Sequence, residues 1–105
     1  MPSPMTRAAV NVACEYFSIN DPKALFLRTK RRRMVRPRRF AWAILKAHGW
    51  SYPAIAGHFQ DPEGVEYDHT TIMHGVQRAH EEWGDLIFKQ LAADAWMARS
   101  FRVAL

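Results

Sequence analysis

The sequence predicts an all-α protein, a compact bundle of five to six helices forming one domain over 1–105. Three observations lead there. Apolar residues recur at helical spacing in several separate stretches; Pro, Gly, Asn and Asp punctuate the gaps; and no run keeps the two-residue period of a strand. Of the 105 residues 49% are hydrophobic, including four Trp and six Phe, which suffices for one modest core.

In residues 6–18, Ala9, Val12, Ala13, Tyr16 and Phe17 share one helical face. Cys14 lies in the same pattern and reads as a small buried hydrophobe; a single cysteine makes no internal disulfide, in keeping with a reducing cytoplasm. Asn20-Asp21-Pro22 stops this helix, and residues 23–27 form a short helical turn. The stretch LRTKRRRMVR, residues 27–36, has no useful apolar period and reads as an exposed basic loop. Pro37 suits the first turn of a helix running from Arg38 to His48, which Gly49 closes. Phe40, Ile44 and Ala47 line one side of it, with Arg39 and Lys46 on the other.

Ser51 caps a short helix reaching Phe59, with Pro53 in its first turn and Ile55 and Phe59 facing inward. Residues 60–67 form a loop bearing Asp61, Glu63 and Glu66. Asp68 then caps a helix from His69 to about Trp83. After Gly84 a last helix runs to about Val103, with Leu86, Ile87, Leu91, Ala95, Trp96 and Met97 available to cover the core or a partner.

Charge is the first functional clue. The net charge is +5, but its distribution says more: no acid occurs between Asp21 and Asp61, an interval holding ten of the fifteen Lys and Arg. Such a block is self-repulsive without an anionic partner, and a merely solvated face interleaves acids with its bases. Nucleic acid is the expected partner. No apolar run approaches the ~20 residues needed to cross a bilayer, and the N-terminus lacks the apolar segment of a signal peptide.

The densest functional stretch is YDHTTIMHG, residues 67–75. At 100° per residue, Ile72, Val76, Ala79 and Trp83 form the buried stripe. Thr70, His74, Gln77 and Arg78 face the opposite way, Thr71 and Met73 flank them, and Asp68 and His69 occupy the N-terminal tip. His69 and His74 diverge by ~140°, so they make no helical metal pair, and no second Cys completes a zinc set. No nucleophile and no Gly-rich phosphate cradle accompany Asp68, so no catalytic residue, metal or cofactor is expected. Base-edge reading fits better. Asp accepts from an exocyclic amine, a Thr methyl packs on thymine, and Gln donates to purine edges. The helix starting at Ser51 then serves as the positioning helix of a helix-turn-helix.

The blocks VACEYF, RPRRFAWAILK, SYPAIAGHF and DHTTIMHG occur in an order that resembles the C-terminal DNA-binding domain of the bacterial replication initiator DnaA. The resemblance covers about residues 8–83, with the helix at about 85–103 as an addition. It implies a helix-turn-helix that binds double-stranded DNA, with Asp68, His69, Thr70 and Thr71 in the major groove and Met73 beside them. One residue of Lys30, Arg31, Arg32 and Arg33 would enter the adjacent minor groove. Arg38 and Arg39 match DNA-contacting positions at a helix start, and Lys46, Ser51 and Pro53 match backbone-contacting ones. His74 and Gln77 add reading capacity on the polar face.

Three departures stand out against the family. The loop before Asp68 is longer and acidic, Tyr67 stands where an Arg is usual, and Gly75 replaces a small helical residue, costing ~1 kcal/mol unless close packing requires it. The initiator's nucleotide-binding module is missing, so no nucleotide is expected. The expected role is a stand-alone, cytoplasmic, nucleoid-associated binder that regulates replication initiation or transcription. The alternative is a protein-interaction module that uses the 60–67 loop and the last helix, through which a homodimer or another protein could also attach.

Overall fold

The computed structural model describes residues 3–26, 32–60 and 63–104, apart from the side chains of Arg32 and residues 97–104. Five α-helices and one 3-10 helix make up the described residues, without a strand: α1 (Pro4–Phe17), the 3-10 helix (Pro22–Phe26), α2 (Arg32–Ala47), α3 (Tyr52–His58), α4 (His69–Trp83) and α5 (Leu86–Ala104). Among the described residues no helix is long and apolar enough to cross a membrane.

Helix α1 starts two residues earlier than expected because Ser3 caps it, its Oγ accepting from Thr6 N at 3.1 Å. The same Oγ pairs with Thr6 Oγ1 at 2.8 Å, which lets a threonine sit fully buried under the first turn. The helix ends on Ser18, a left-handed residue with φ 56°, and Ile19 N donates back to Cys14 O at 2.9 Å. Cys14 is buried as expected, and desolvation pushes its thiol pKa up, with Asp21 adding to the shift.

Two expectations fail at α2. It begins at Arg32, so residues 32–36 are helical rather than part of a basic loop, and Pro37 sits inside the helix. The proline is tolerated because little more than one turn precedes it; its missing N–H leaves only the Arg33 carbonyl without its intrahelical donor. Nor does α2 bury one face alone. Phe40 through Leu45 are all buried, so this helix forms the axis of the bundle and is covered on every side. Gly49 closes it at φ 105°, where Gly49 N donates to Lys46 O and Trp50 N to Leu45 O.

Phe40 is the centre of the core. Its ring meets Tyr16 and Phe17 of α1 at 4.9 and 5.4 Å, Trp83 of α4 at 5.2 Å, and Phe88 of α5 at 4.9 Å. Edge-on arrangements dominate, as ring quadrupoles favour. Helix α5 buries Phe88, Ala92 and Ala95, while Leu86 is 76% and Trp96 41% exposed. Of the apolar residues expected to cover the core or a partner, Ala95 is buried and Ile87 and Leu91 pack against the core, whereas Leu86 and Trp96 face outward.

Candidate nucleic-acid interface

Helices α3 and α4 form the expected helix-turn-helix, joined by an irregular segment whose residues 59–60 and 63–68 are described. Ser51 caps α3, its Oγ accepting from Ala54 N at 3.2 Å, with Pro53 in the first turn. Ser51 and Pro53 are both exposed.

Helix α4 matches its expected span residue for residue, because its start is set by a strong local signal. Asp68 is extended and accepts from Thr70 N at 2.7 Å. That bond, with further help from the Thr70 side chain and from His69, holds the Asp68 carboxyl below its ordinary pKa. Ile72, Gly75, Val76 and Ala79 are buried, with Trp83 half-buried behind them. Asp68, His69, Thr70, Thr71, His74 and Gln77 are all exposed, and Met73 is half-buried. One helix therefore presents six polar side chains outward along its N-terminal half.

Gly75 resolves one of the sequence departures. A Cβ there would lie 2.6 Å from Trp42 Cε3 and Cζ3 and 3.2 Å from Arg39 Cγ. The glycine is what lets α4 approach α2 closely. Trp42, 3% exposed, is fixed in turn by the rings of Phe59 at 5.9 Å and Tyr67 at 5.2 Å.

Between the two helices runs a groove of about 1110 Å³ whose lining includes Arg39, Trp42, Asp68, Thr71, His74, Gly75, Gln77 and Arg78. Arg38, Arg39 and Arg78 supply its positive charge, and Glu81 lies at its edge, 3.7 Å from Arg78. Arg78 is exposed on the polar face where the sequence placed it with Thr70, His74 and Gln77, four residues beyond His74.

The basic residues divide by placement. Lys30 and Arg31 lie outside the described residues; Arg32 opens α2 and Arg33 is exposed on its first turn. Arg36 pairs with Glu82 of α4 and lies over the rings of Phe17 and Trp83 at 5.5 and 5.3 Å, so it clamps three helices together. Lys46 places its Nζ 4.4 Å from the Tyr52 ring centroid, at the turn into α3.

Arg38 is placed unlike its expected neighbours. It is only 4% exposed, its Nε donates to Leu25 O at 2.9 Å, and its guanidinium lies 5.6 Å from the Tyr67 ring. Burial lowers its pKa, with Tyr67 acting in the opposite sense, and a guanidinium keeps its charge even so. Tyr67, the second departure, is half-buried against Trp42 and Arg38 rather than projecting from the tip. Of the loop acids, Glu63 and Glu66 are exposed, and Glu66 Oε1 packs beside Gly57 of α3, where it would stand 3.2 Å from an added Cβ. Asp61 lies outside the described residues. Among the described residues no three His, Cys, Asp or Glu side chains converge as a metal set.

No curated protein and no solved structure matches the chain. A family model described as the bacterial dnaA protein helix-turn-helix matches residues 8–79, a stretch that holds α3, the joining segment and most of α4. With four helices in the order that its sequence blocks implied, and with the polar face of α4 turned outward, the chain belongs to the bacterial DnaA helix-turn-helix family.

Proposed function

We propose that the chain binds double-stranded DNA sequence-specifically through its helix-turn-helix, at sites like the initiator's boxes, and so regulates replication initiation or transcription. The observation that carries this is the outward row of Asp68, His69, Thr70, Thr71, His74 and Gln77 on a helix whose other face is buried. These side chains read base edges in the major groove, with Met73 packing beside them. Arg33, Arg39, Lys46 and the Ser51–Pro53 turn hold phosphates, and Lys30, Arg31 and Arg32 belong to the same basic set. The activity is binding alone, without nucleotide or metal, and its place is the cytoplasmic nucleoid.

Selection of bound duplexes from a random pool tests the reading. Thr70→Ala should relax discrimination at its base by ~1–3 kcal/mol. With roughly five phosphates engaged, log affinity should fall against log salt with a slope of about −4 to −5. An unchanged consensus in Thr70→Ala, or affinity independent of salt, refutes it.

One observation favours a second use of the fold. Leu86 and Trp96 leave apolar surface exposed on α5, which supports a protein contact or homodimer there. Light scattering should then report a dimer that Trp96→Ser dissolves; a monomer at all concentrations refutes the homodimer.

A further inference from the structure

The polar row of α4 does not stop at Gln77. Arg78 follows on the same exposed face, and Glu81 lies about one turn beyond, its Oε2 3.7 Å from Arg78 Nη1. Arg39 of α2 stands across from them. Together with Glu82 these three line a hollow of about 400 Å³, and all three also line the larger groove that holds Asp68, Thr71 and His74.

Gly75 explains how Arg39 reaches this place. A Cβ there would stand 3.2 Å from Arg39 Cγ, so the stem of Arg39 lies against α4 at that helix's one glycine. The arginine is half-buried, its stem packed on α4 and its head in the hollow. Charges in the hollow do not balance. Among the described residues Glu82 pairs with Arg36 and Glu81 with Arg78, and Arg39 has no carboxylate partner. Two guanidiniums thus share one wet site with a single carboxylate.

We propose that Arg39 and Arg78 form a site for a DNA backbone phosphate, and that Glu81 stands in for that phosphate until DNA displaces it. This rests on the DNA-binding reading above. A guanidinium offers a planar fork of donors that fits phosphate oxygens, and the two free oxygens of one phosphodiester can accept from two arginines. Glu81 serves one of them, at a separation too long for a hydrogen bond. With the Arg78 and Glu81 side chains 69% and 68% exposed, this pair is weak, and opening it costs the incoming DNA a factor of about two to five. Phosphate contacts carry no sequence information. Glu81 therefore weakens adhesion to every duplex alike, and base reading at the α4 tip keeps its discrimination.

Charge-matched variants separate displacement from general repulsion. Glu81→Gln and Asp85→Asn each remove one negative charge, but Asp85 pairs with Lys89 at 3.8 Å, outside the hollow. All these side chains except that of Arg39 are exposed, and Arg39→Gln keeps the methylenes that pack on Gly75, so the variants should fold. Glu81→Gln should raise affinity for a selected duplex and for random duplex by the same factor of about two to five. Asp85→Asn should raise it by less than half as much. Arg78→Gln and Arg39→Gln should each lower the log–log salt slope by about one. In the Arg39→Gln, Arg78→Gln background, Glu81→Gln should gain no more than Asp85→Asn does.

Equal gains from Glu81→Gln and Asp85→Asn make Glu81 a distant charge and overturn the proposal. So does a wild-type salt slope in Arg78→Gln. A lower melting temperature in Glu81→Gln with unchanged DNA affinity shows a pair that serves only the helix, and overturns it too. Salt-dependent duplex binding that neither Glu81→Gln nor Arg78→Gln alters removes this site and leaves the functional reading standing. A wild-type chain that ignores duplex DNA even at low salt removes both.

Discussion

Gly75 offers the sharpest test of how α4 is seated. In Gly75→Ala the new methyl would stand 2.6 Å from two carbons of the Trp42 benzo ring, well inside van der Waals contact. Two effects compete. Alanine improves helix propensity by ~1 kcal/mol, while overpacking a filled interior costs ~1–3 kcal/mol. Which wins depends on whether Trp42 can move. Edge contacts with Phe59 and Tyr67 and near-complete burial hold it, and Arg39 Cγ stands 3.2 Å away on another side. The upper end of the overpacking range therefore applies, and Gly75→Ala should be net destabilising by ~2 kcal/mol. For a domain of this size that lowers Tm by roughly 10 °C. Circular dichroism melts measure it. Trp42→Phe removes the two clashing carbons together with an Nε1 that has no hydrogen-bond partner among the described residues. The double variant should thus lose less than the sum of the singles. A Gly75→Ala protein as stable as wild type, or a strictly additive pair, would refute the close-approach explanation.

Asp68 should show an acid-side transition specific to α4. Its carboxyl pKa is depressed in the folded state, so its contribution is present above the ordinary value of 3.8 and is lost as pH falls through the lower folded value. The Thr70 amide shift should therefore titrate below 3.8, and in Asp68→Asn it should not titrate at all; a midpoint at or above 3.8 contradicts the cap. Ser51→Ala removes the α3 cap and should cost ~1 kcal/mol in denaturant melts, with Ser51→Asp near wild type. The Arg36–Glu82 pair is partly exposed, so Glu82→Gln should cost at most ~1 kcal/mol, and less still in high salt. Arg36→Gln should cost more, because it also gives up its stacking on Phe17 and Trp83; the reverse order would show the ion pair to be the main term.

Helix α4 was legible because its signals are local. An Asp cap, a 3.6-residue apolar stripe and a glycine stop all lie within 68–84, and they also separate the inward face from the exposed one. The start of α2 was not legible, because four of the seven residues from Arg32 to Arg38 are arginines and carry no period. What neutralises Arg36 is Glu82, in a helix 46 positions away, and what buries Arg38 is a carbonyl in the preceding segment. Long-range partners of this kind leave no periodic trace. Gly75 and Tyr67 were visible as oddities, but their explanation needed Trp42, a residue with no unusual feature in the sequence. The inward face of α5 was left open between core and partner because that helix has apolar residues on several sides, so its pattern alone does not choose a face.

The ring cluster around Phe40 bears on where this protein can be cut. The family segment ends at residue 79, inside α4, yet Phe40 is closed on one side by Phe88 of α5, and Ala92 and Ala95 are buried beyond it. The stretch that resembles a DNA reader and the stretch that can fold are therefore of different lengths. A fragment trimmed to the first would keep every side chain of the α4 tip and lose the wall of the core behind them. During synthesis the same arithmetic applies: α1 and α2 can pair early, but the hydrophobic centre stays open to water until Phe88 has left the ribosome.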